Sequence, residues 1–153
     1  LHDVGNMGVP VEILKKEGAP DFKEWESIRA HTRLGAEIIG DHPRLAMAHA
    51  IALSHHENWD GTGYPLGLGG TDIPLEGRIV AIADNYDALS TKRPYKSAFS
   101  REKCFEIMKE LRGKKFDPQL LDVFFDRTEE VIAIQLELMD STPQFKGPGA
   151  ASL

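Results

Sequence analysis

Apolar and polar positions alternate at helical spacing along nearly the whole chain. Asp21, with Glu24 three residues on, has the form of an Asp variant of the capping box. Behind it Phe22, Trp25, Ile28, Thr32, Gly35 and Ile39 fall near one face of a helix predicted to run to about Ile39. Gly35 in a helix interior costs about 1 kcal/mol relative to alanine, so it predicts close packing on a neighbour. A second helix is predicted over about Arg44 to Glu57, with Leu45, Ala48, Ala52 and Leu53. A third, over 75–91, carries Ile79, Val80, Ile82 and Ala83 and is apolar nearly all round, the pattern of a buried helix. Ser100 is placed to cap a helix to about Leu111. Pro118 opens another through Leu120, Leu121, Val123, Phe124 and Phe125, and residues 131–139 add a last one. Strand-like alternation is absent, so the fold class is all-α.

Glycine and proline punctuate these helices. Residues 1–10 read as a helix end running into a turn, Glu17 to Pro20 and Gly40 to Pro43 are breaks, and 142–153 is a loose tail. The long loop from Asn58 to Pro74 holds Gly61, Gly63, Gly67, Gly69 and Gly70 among Trp59, Tyr64 and Pro65. Glycines let backbone approach a ligand, and a loop of this length is usually functional or disordered. Its aromatics and prolines favour a substrate lid or docking loop.

The chemistry concentrates where helices end. His55 and His56 are adjacent, so on a helix they point roughly 100° apart and cannot both belong to one apolar stripe. Either they converge on a shared cation or they sit on an exposed helix terminus, where histidine also suits the dipole. His2 and Asp3 pair an imidazole with a carboxylate, against the alternative of a solvated terminus. His31 lies beside the apolar stripe, where a satisfied core histidine is the commoner outcome. His49 reads as packing or as a hydrogen-bond donor behind a ligand, and His42 as exposed. Asp84 falls in the middle of the apolar third helix, with Asp87 on nearly the same face. A buried, unpaired carboxylate costs several kcal/mol, so this position calls for a cation. Four imidazoles and two carboxylates exceed one tetrahedral site and suit two cations bridged by a carboxylate. The mixed nitrogen and oxygen set favours iron or manganese, with nickel or zinc also possible, over magnesium or calcium.

Bulk properties narrow the class. The 153 residues are 41% hydrophobic and 27% charged, enough for one globular domain. No apolar run approaches the roughly 20 residues of a membrane helix, and a signal peptide is not evident, so a cytoplasmic setting is expected. The net charge of −6 argues against a nucleic-acid polymer as partner. Arg93 and Lys96 offer local charge for a small phosphate ligand. The single Cys104, among Phe105, Ile107 and Met108, is expected to be a buried small apolar residue.

These residues occur in an order that resembles one family. His2-Asp3, His31, His55-His56-Glu57, Trp59-Asp60-Gly61-x-Gly63-Tyr64-Pro65, Ile73-Pro74, Arg78-Ile79-Val80 and Ala83-Asp84 are followed by Tyr86-Asp87-Ala88-Leu89, Arg93-Pro94-Tyr95-Lys96 and Phe116-Asp117-Pro118. Together they are similar to an HD-GYP domain, a branch of the HD phosphohydrolases. The resemblance implies an all-helical HD-domain bundle with an irregular glycine-rich loop over residues 1–126, followed by a C-terminal helix at 127–141 and a tail at 142–153. It implies metal-dependent hydrolysis of cyclic di-GMP to pGpG or GMP, with a mixed cyclic GMP-AMP dinucleotide as a sister substrate. One metal would use His2, Asp3 and Asp84, the catalytic group, and a second would use Asp3 as bridge with His31, His55 and His56. Asn6, Gly63, Tyr64, Asp87, Arg93 and Lys96 would line the substrate site. The Gly-Tyr-Pro loop would also offer a dock for diguanylate cyclase (GGDEF) domains, and a receiver or other sensory domain would precede residue 1. The family usually has lysine where this chain has Asn6, and further helices before the His-Asp pair. A cyclic-dinucleotide sensor and a docking scaffold for cyclase domains are therefore the two competing readings.

Overall fold

A computed structural model describes residues 1–16, 18–91 and 99–141, with side chains described to residue 138. Among them the structure is helical, and the only sheet-like pairing is two isolated bridges, Asp60 with Gly69 and Arg112 with Phe116. A 3-10 turn over Val4–Gly8 leads to α1 (Val11–Leu14), α2 (Phe22–Arg29) and α3 (His31–Ile39). After a 3-10 turn at Pro43–Leu45 come α4 (Ala46–Ser54), the long loop, α5 (Leu75–Ser90), α6 (Arg101–Glu110), α7 (Pro118–Asp126) and α8 (Thr128–Ser141). Backbone contacts divide the chain into two compact units, 1–121 and 122–153. In the second, Arg127 pairs with Glu130 at 2.7 Å and the Phe124 and Phe125 rings meet edge to face.

The capping box forms as the sequence predicts: the Asp21 carboxylate accepts from the Glu24 N–H at 2.9 Å, and the Glu24 carboxylate accepts from the Asp21 N–H at 2.7 Å. The single helix expected to reach Ile39 is instead interrupted at Ala30. Side chains compete there for the backbone. His31 Nδ1 donates to the Ile28 carbonyl at 2.6 Å and Thr32 Oγ1 to the Arg29 carbonyl at 3.0 Å, at the expense of regular helix geometry. The expected apolar stripe is also only half used: Thr32 and Gly35 are buried, whereas Phe22 is 78% exposed. The helix expected over about Arg44 to Glu57 is shorter, and His55 and His56 lie just past its end. α5 buries only Gly77, Ala81, Ile82 and Tyr86, so it is one-sided; Ile79 and Ala83 face outward.

Two glycines set the spacing that builds the site. A Cβ on Gly5 would fall on the His31 carbonyl, so only glycine lets the N-terminal turn lie against α3. Gly77 lets α5 approach α4 so closely that a Cβ would fall on Ser54 Oγ. Cys104 is buried, as expected, with its thiol 3.9 Å from the Phe99 carbonyl.

Candidate metal centre

His31 begins α3, and its Nδ1–H is committed to the Ile28 carbonyl. His55 follows α4, and its Nδ1–H faces the carbonyls of Ile51 at 2.9 Å and Ala52 at 3.1 Å. A carbonyl only accepts, so both rings carry a proton on Nδ1 and, when neutral, present a lone pair at Nε2. The two Nε2 atoms lie 3.4 Å apart, with Asp3 Oδ1 3.4 Å from His31 and 3.6 Å from His55. His55 is fully buried and His31 nearly so. In their neutral form the two rings therefore turn lone pairs toward each other in a buried space, an arrangement a cation resolves. His56 completes this set: Asp3, His31, His55 and His56 each offer a ligand atom within 4.8 Å of the others.

The electrostatics keep these groups in ligating form. Burial, reinforced by His55, His31 and Lys115 nearby, pushes the His56 imidazole down to about 3, so it is neutral near pH 7. In metal-free protein a hydrogen bond from His55, with positive charge on His2, His31 and His55, holds the Asp3 carboxyl down at about 2 against partial burial; a cation among neutral rings would exert the same pull. Asp3 is thus an anion beside the neutral His56 imidazole, and together with His31 and His55 they form a set that fits a divalent transition metal.

His2 and Asp84 extend the cluster on its outer side. His2 Nε2 is 3.4 Å from Asp3 Oδ2 and 3.8 Å from Asp84 Oδ1, which places Asp3 between the two groups of donors. The expectation of a deeply buried Asp84 needs correction, since its side chain is 24% exposed. α5 is covered on one side only, and Asp84 lines the open edge of the cluster.

Other expected residues divide. Tyr64 stacks on His56, ring centroids 4.9 Å apart, and the Arg29 guanidinium carbon lies 5.1 Å from the centroid of the Tyr64 ring. Burial pushes the Tyr64 hydroxyl up to about 12, so it stays protonated. Gly63 is packed so tightly on the Glu57–Asn58 backbone that no Cβ could be accommodated. Asn6 is half-buried in the N-terminal turn. Asp87 is exposed and accepts from Thr91 Oγ1 at 3.1 Å, with no link to the cluster among the described residues. Arg93, Lys96 and the tail at 142–153 lie outside the described residues. His49 donates to the Gly40 carbonyl at 2.9 Å, a packing role, and His42 is exposed.

For three residues the role comes only from the structure. Glu57 is buried, and its carboxylate accepts from the N–H groups of Leu66 at 2.7 Å and Leu68 at 3.0 Å, fixing the loop that carries Tyr64. Arg78 pairs with buried Asp117 at 2.7 Å and so ties α5 to the segment before α7. Lys115 lies within that segment, half-buried, in the electrostatic neighbourhood of Asp84 and His56. A charged residue directly after the His pair was the one available signal for Glu57; the other two depend on contacts remote in sequence.

A family profile described as HD domain matches residues 1–120. The chain belongs to the HD domain family. It is 44% identical over 142 residues to a 3'3'-cGAMP-specific phosphodiesterase 2 of Vibrio cholerae, covering 92% of this chain and 27% of that protein. A cyclic di-GMP phosphodiesterase of the same organism is 43% identical over 148 residues, 92% of this chain and 30% of the relative. A cyclic di-GMP phosphodiesterase of Thermotoga maritima is 38% identical over 149 residues, 96% of this chain and 40% of the relative. The HD domain described here thus spans between 27% and 40% of the length of these three curated relatives. The HD family implies divalent metal binding, and the Asp3 cluster is a place where such an ion fits. No helix among the described residues is long and apolar enough to cross a membrane.

Proposed function

We propose that this HD domain is a metal-dependent phosphodiesterase acting on cyclic dinucleotides, with cyclic di-GMP as substrate and pGpG or GMP as product. The observation that carries the reading is the convergence of the Nε2 atoms of His31 and His55 on Asp3 Oδ1. The activities for which relatives similar over more than nine-tenths of this chain are named support the substrate class. They include both cyclic di-GMP and 3'3'-cGAMP, so the two are rival substrates for one site.

Divalent ions held by His31, His55, His56 and Asp3, and by His2, Asp3 and Asp84, would supply Lewis-acid activation of water and of the phosphodiester. Asp3 would be the shared carboxylate, because its two oxygens face different histidines. Iron or manganese suits this nitrogen-rich set with two carboxylates. The chain's own part is orientation. The carbonyls of Ile28, Ile51 and Ala52 fix the ring tautomers, and Asp3 remains ionised as an acceptor. Tyr64 covers one face of the His56 ring and so helps to fix its orientation. Asn6, Gly63, Asp87, Arg93 and Lys96 are proposed to contact the nucleotide. The Gly-Tyr-Pro loop is proposed as the dock for a diguanylate cyclase domain, and a sensory domain upstream as the regulator.

The test is turnover of cyclic di-GMP and of 3'3'-cGAMP by the full-length protein, purified without oxygen and supplied with iron or manganese. Linear product from the wild type, and none from Asp3→Ala or Asp84→Ala, is expected. Tight binding with no product from the wild type would replace the enzyme with the sensor reading, for which uncharged Asn6 is the relevant feature.

A further inference from the structure

Lys115 stands apart from the other cations among the described residues. Its backbone is held at both ends: the N–H donates to the Leu111 carbonyl at 3.0 Å and the carbonyl accepts from the Trp59 N–H at 3.1 Å. Its neighbour Lys114 likewise holds the Asp60 N–H at 2.8 Å, so the segment is laced to the loop that leaves the His55-His56 pair. Phe116 and Asp117 beside it are buried, and Asp117 is clamped by Arg78 of α5, the helix that carries Asp84. The lysine stem is therefore rigidly rooted between the two elements that supply the cluster.

The ammonium itself is half-buried, yet among the described residues it has no hydrogen-bond or ion-pair partner. Its environment pushes the pKa down through burial, and the nearby Asp84 offsets this only in part. Burying an ammonium beside a cation-binding cluster, without a partner, is unfavourable in the free protein. An anion in the cluster would reverse that. The carboxylates of Asp3 and Asp84 would offset the charge of the divalent ions only in part, Lys115 adds to the positive excess, and a phosphodiester group carries the opposite charge.

Resting on the phosphodiesterase reading, we propose that Lys115 is a phosphate-contacting residue, donating a charge-assisted hydrogen bond to a non-bridging oxygen of the substrate held at the metal cluster. It binds the anion and ligates no metal. The geometry also explains why the segment from Gly113 to Asp117 is tied down at so many points: it carries a donor whose position matters.

The experiment uses the full-length protein loaded with manganese and two ligands, inorganic phosphate and cyclic di-GMP. Titration calorimetry gives phosphate affinity, steady-state kinetics gives KM and kcat, and metal analysis gives occupancy. Lys115→Gln is expected to retain metal while weakening phosphate binding and lowering kcat/KM by about 10- to 100-fold, the loss of one hydrogen bond to a charged group. Lys115→Arg should recover part of both, and Lys114→Gln, at an exposed position, should leave both unchanged. Should Lys115→Gln fail to fold, Lys115→Met and the arginine variant carry the comparison. Phosphate affinity and kcat/KM within about threefold of wild type in a metal-replete variant would overturn the assignment. A wild type that binds phosphate but does not cleave the dinucleotide would refute the phosphodiesterase reading alone, and the phosphate comparison would still decide the role of Lys115.

Discussion

Replacing Glu57 by glutamine tests how the loop is fixed against the site. The wild-type carboxylate is 1% exposed and accepts two backbone N–H bonds, from Leu66 at 2.7 Å and Leu68 at 3.0 Å. Glutamine keeps one acceptor oxygen and turns its amide hydrogens toward the second N–H, so donor faces donor. One charge-assisted bond is lost and one buried N–H is left unpaired, a cost of about 2–3 kcal/mol. For a domain of this size that corresponds to a fall in Tm of roughly 4–12 °C. Glu37→Gln, at an exposed position, should shift Tm by little and serves as control. Calorimetric melts of metal-free protein measure the difference, and hydrogen exchange at Leu66 and Leu68 localises it. A Glu57→Gln protein melting within about 1 °C of wild type, with unchanged exchange at those amides, would refute the role given to this carboxylate.

Other consequences follow from particular contacts. Arg78→Met leaves Asp117 buried without its partner and should cost about 3 kcal/mol in urea unfolding; a cost under about 0.5 kcal/mol would show the pair to be dispensable. Gly77→Ala drives a Cβ into Ser54 Oγ and should destabilise by about 1–3 kcal/mol, with Ser54→Ala in the same chain restoring part of the loss. In metal-free protein the unfolded His56 titrates at its ordinary 6.5 and the folded one at about 3, so the unfolded state binds more protons between those values. Stability should therefore rise as pH rises through that window. Asp3, lowered from 3.8 to about 2, adds to the same trend at its acid end. Urea midpoints at about pH 4 and pH 7 measure it, and His56→Gln should flatten the slope between them.

Much of the fold and of the cluster was legible because both rest on local signals. Helical periodicity, the Asp21–Glu24 box and the Ser100 cap each act within one turn of the chain. The Ser100 side chain accepts from the Lys103 N–H at 3.3 Å, as its position predicts. The paired imidazoles and the mid-helix Asp84 conflicted with simple amphipathicity, and that conflict marked the site. What was not legible depends on competition or on distant partners. The interruption at Ala30 arises because the His31 and Thr32 side chains take backbone carbonyls, which periodicity cannot register. A hydrophobic stripe reports a face but not what covers it, so Phe22 and Ile79 were expected inside and lie outside. Arg78–Asp117 joins residues 39 apart, and Lys115 acquires its setting from the same long-range closure. Neither leaves a trace in local spacing.

The most direct measurement of the central claim is the metal content of the full-length protein, purified without oxygen and reconstituted with iron or manganese, compared with His55→Gln. The account predicts at least one tightly held divalent ion per chain in the wild type, and loss of most of it in the variant while helical circular dichroism is retained. A wild type that holds no divalent metal, or a His55→Gln protein that keeps the full complement, would contradict it.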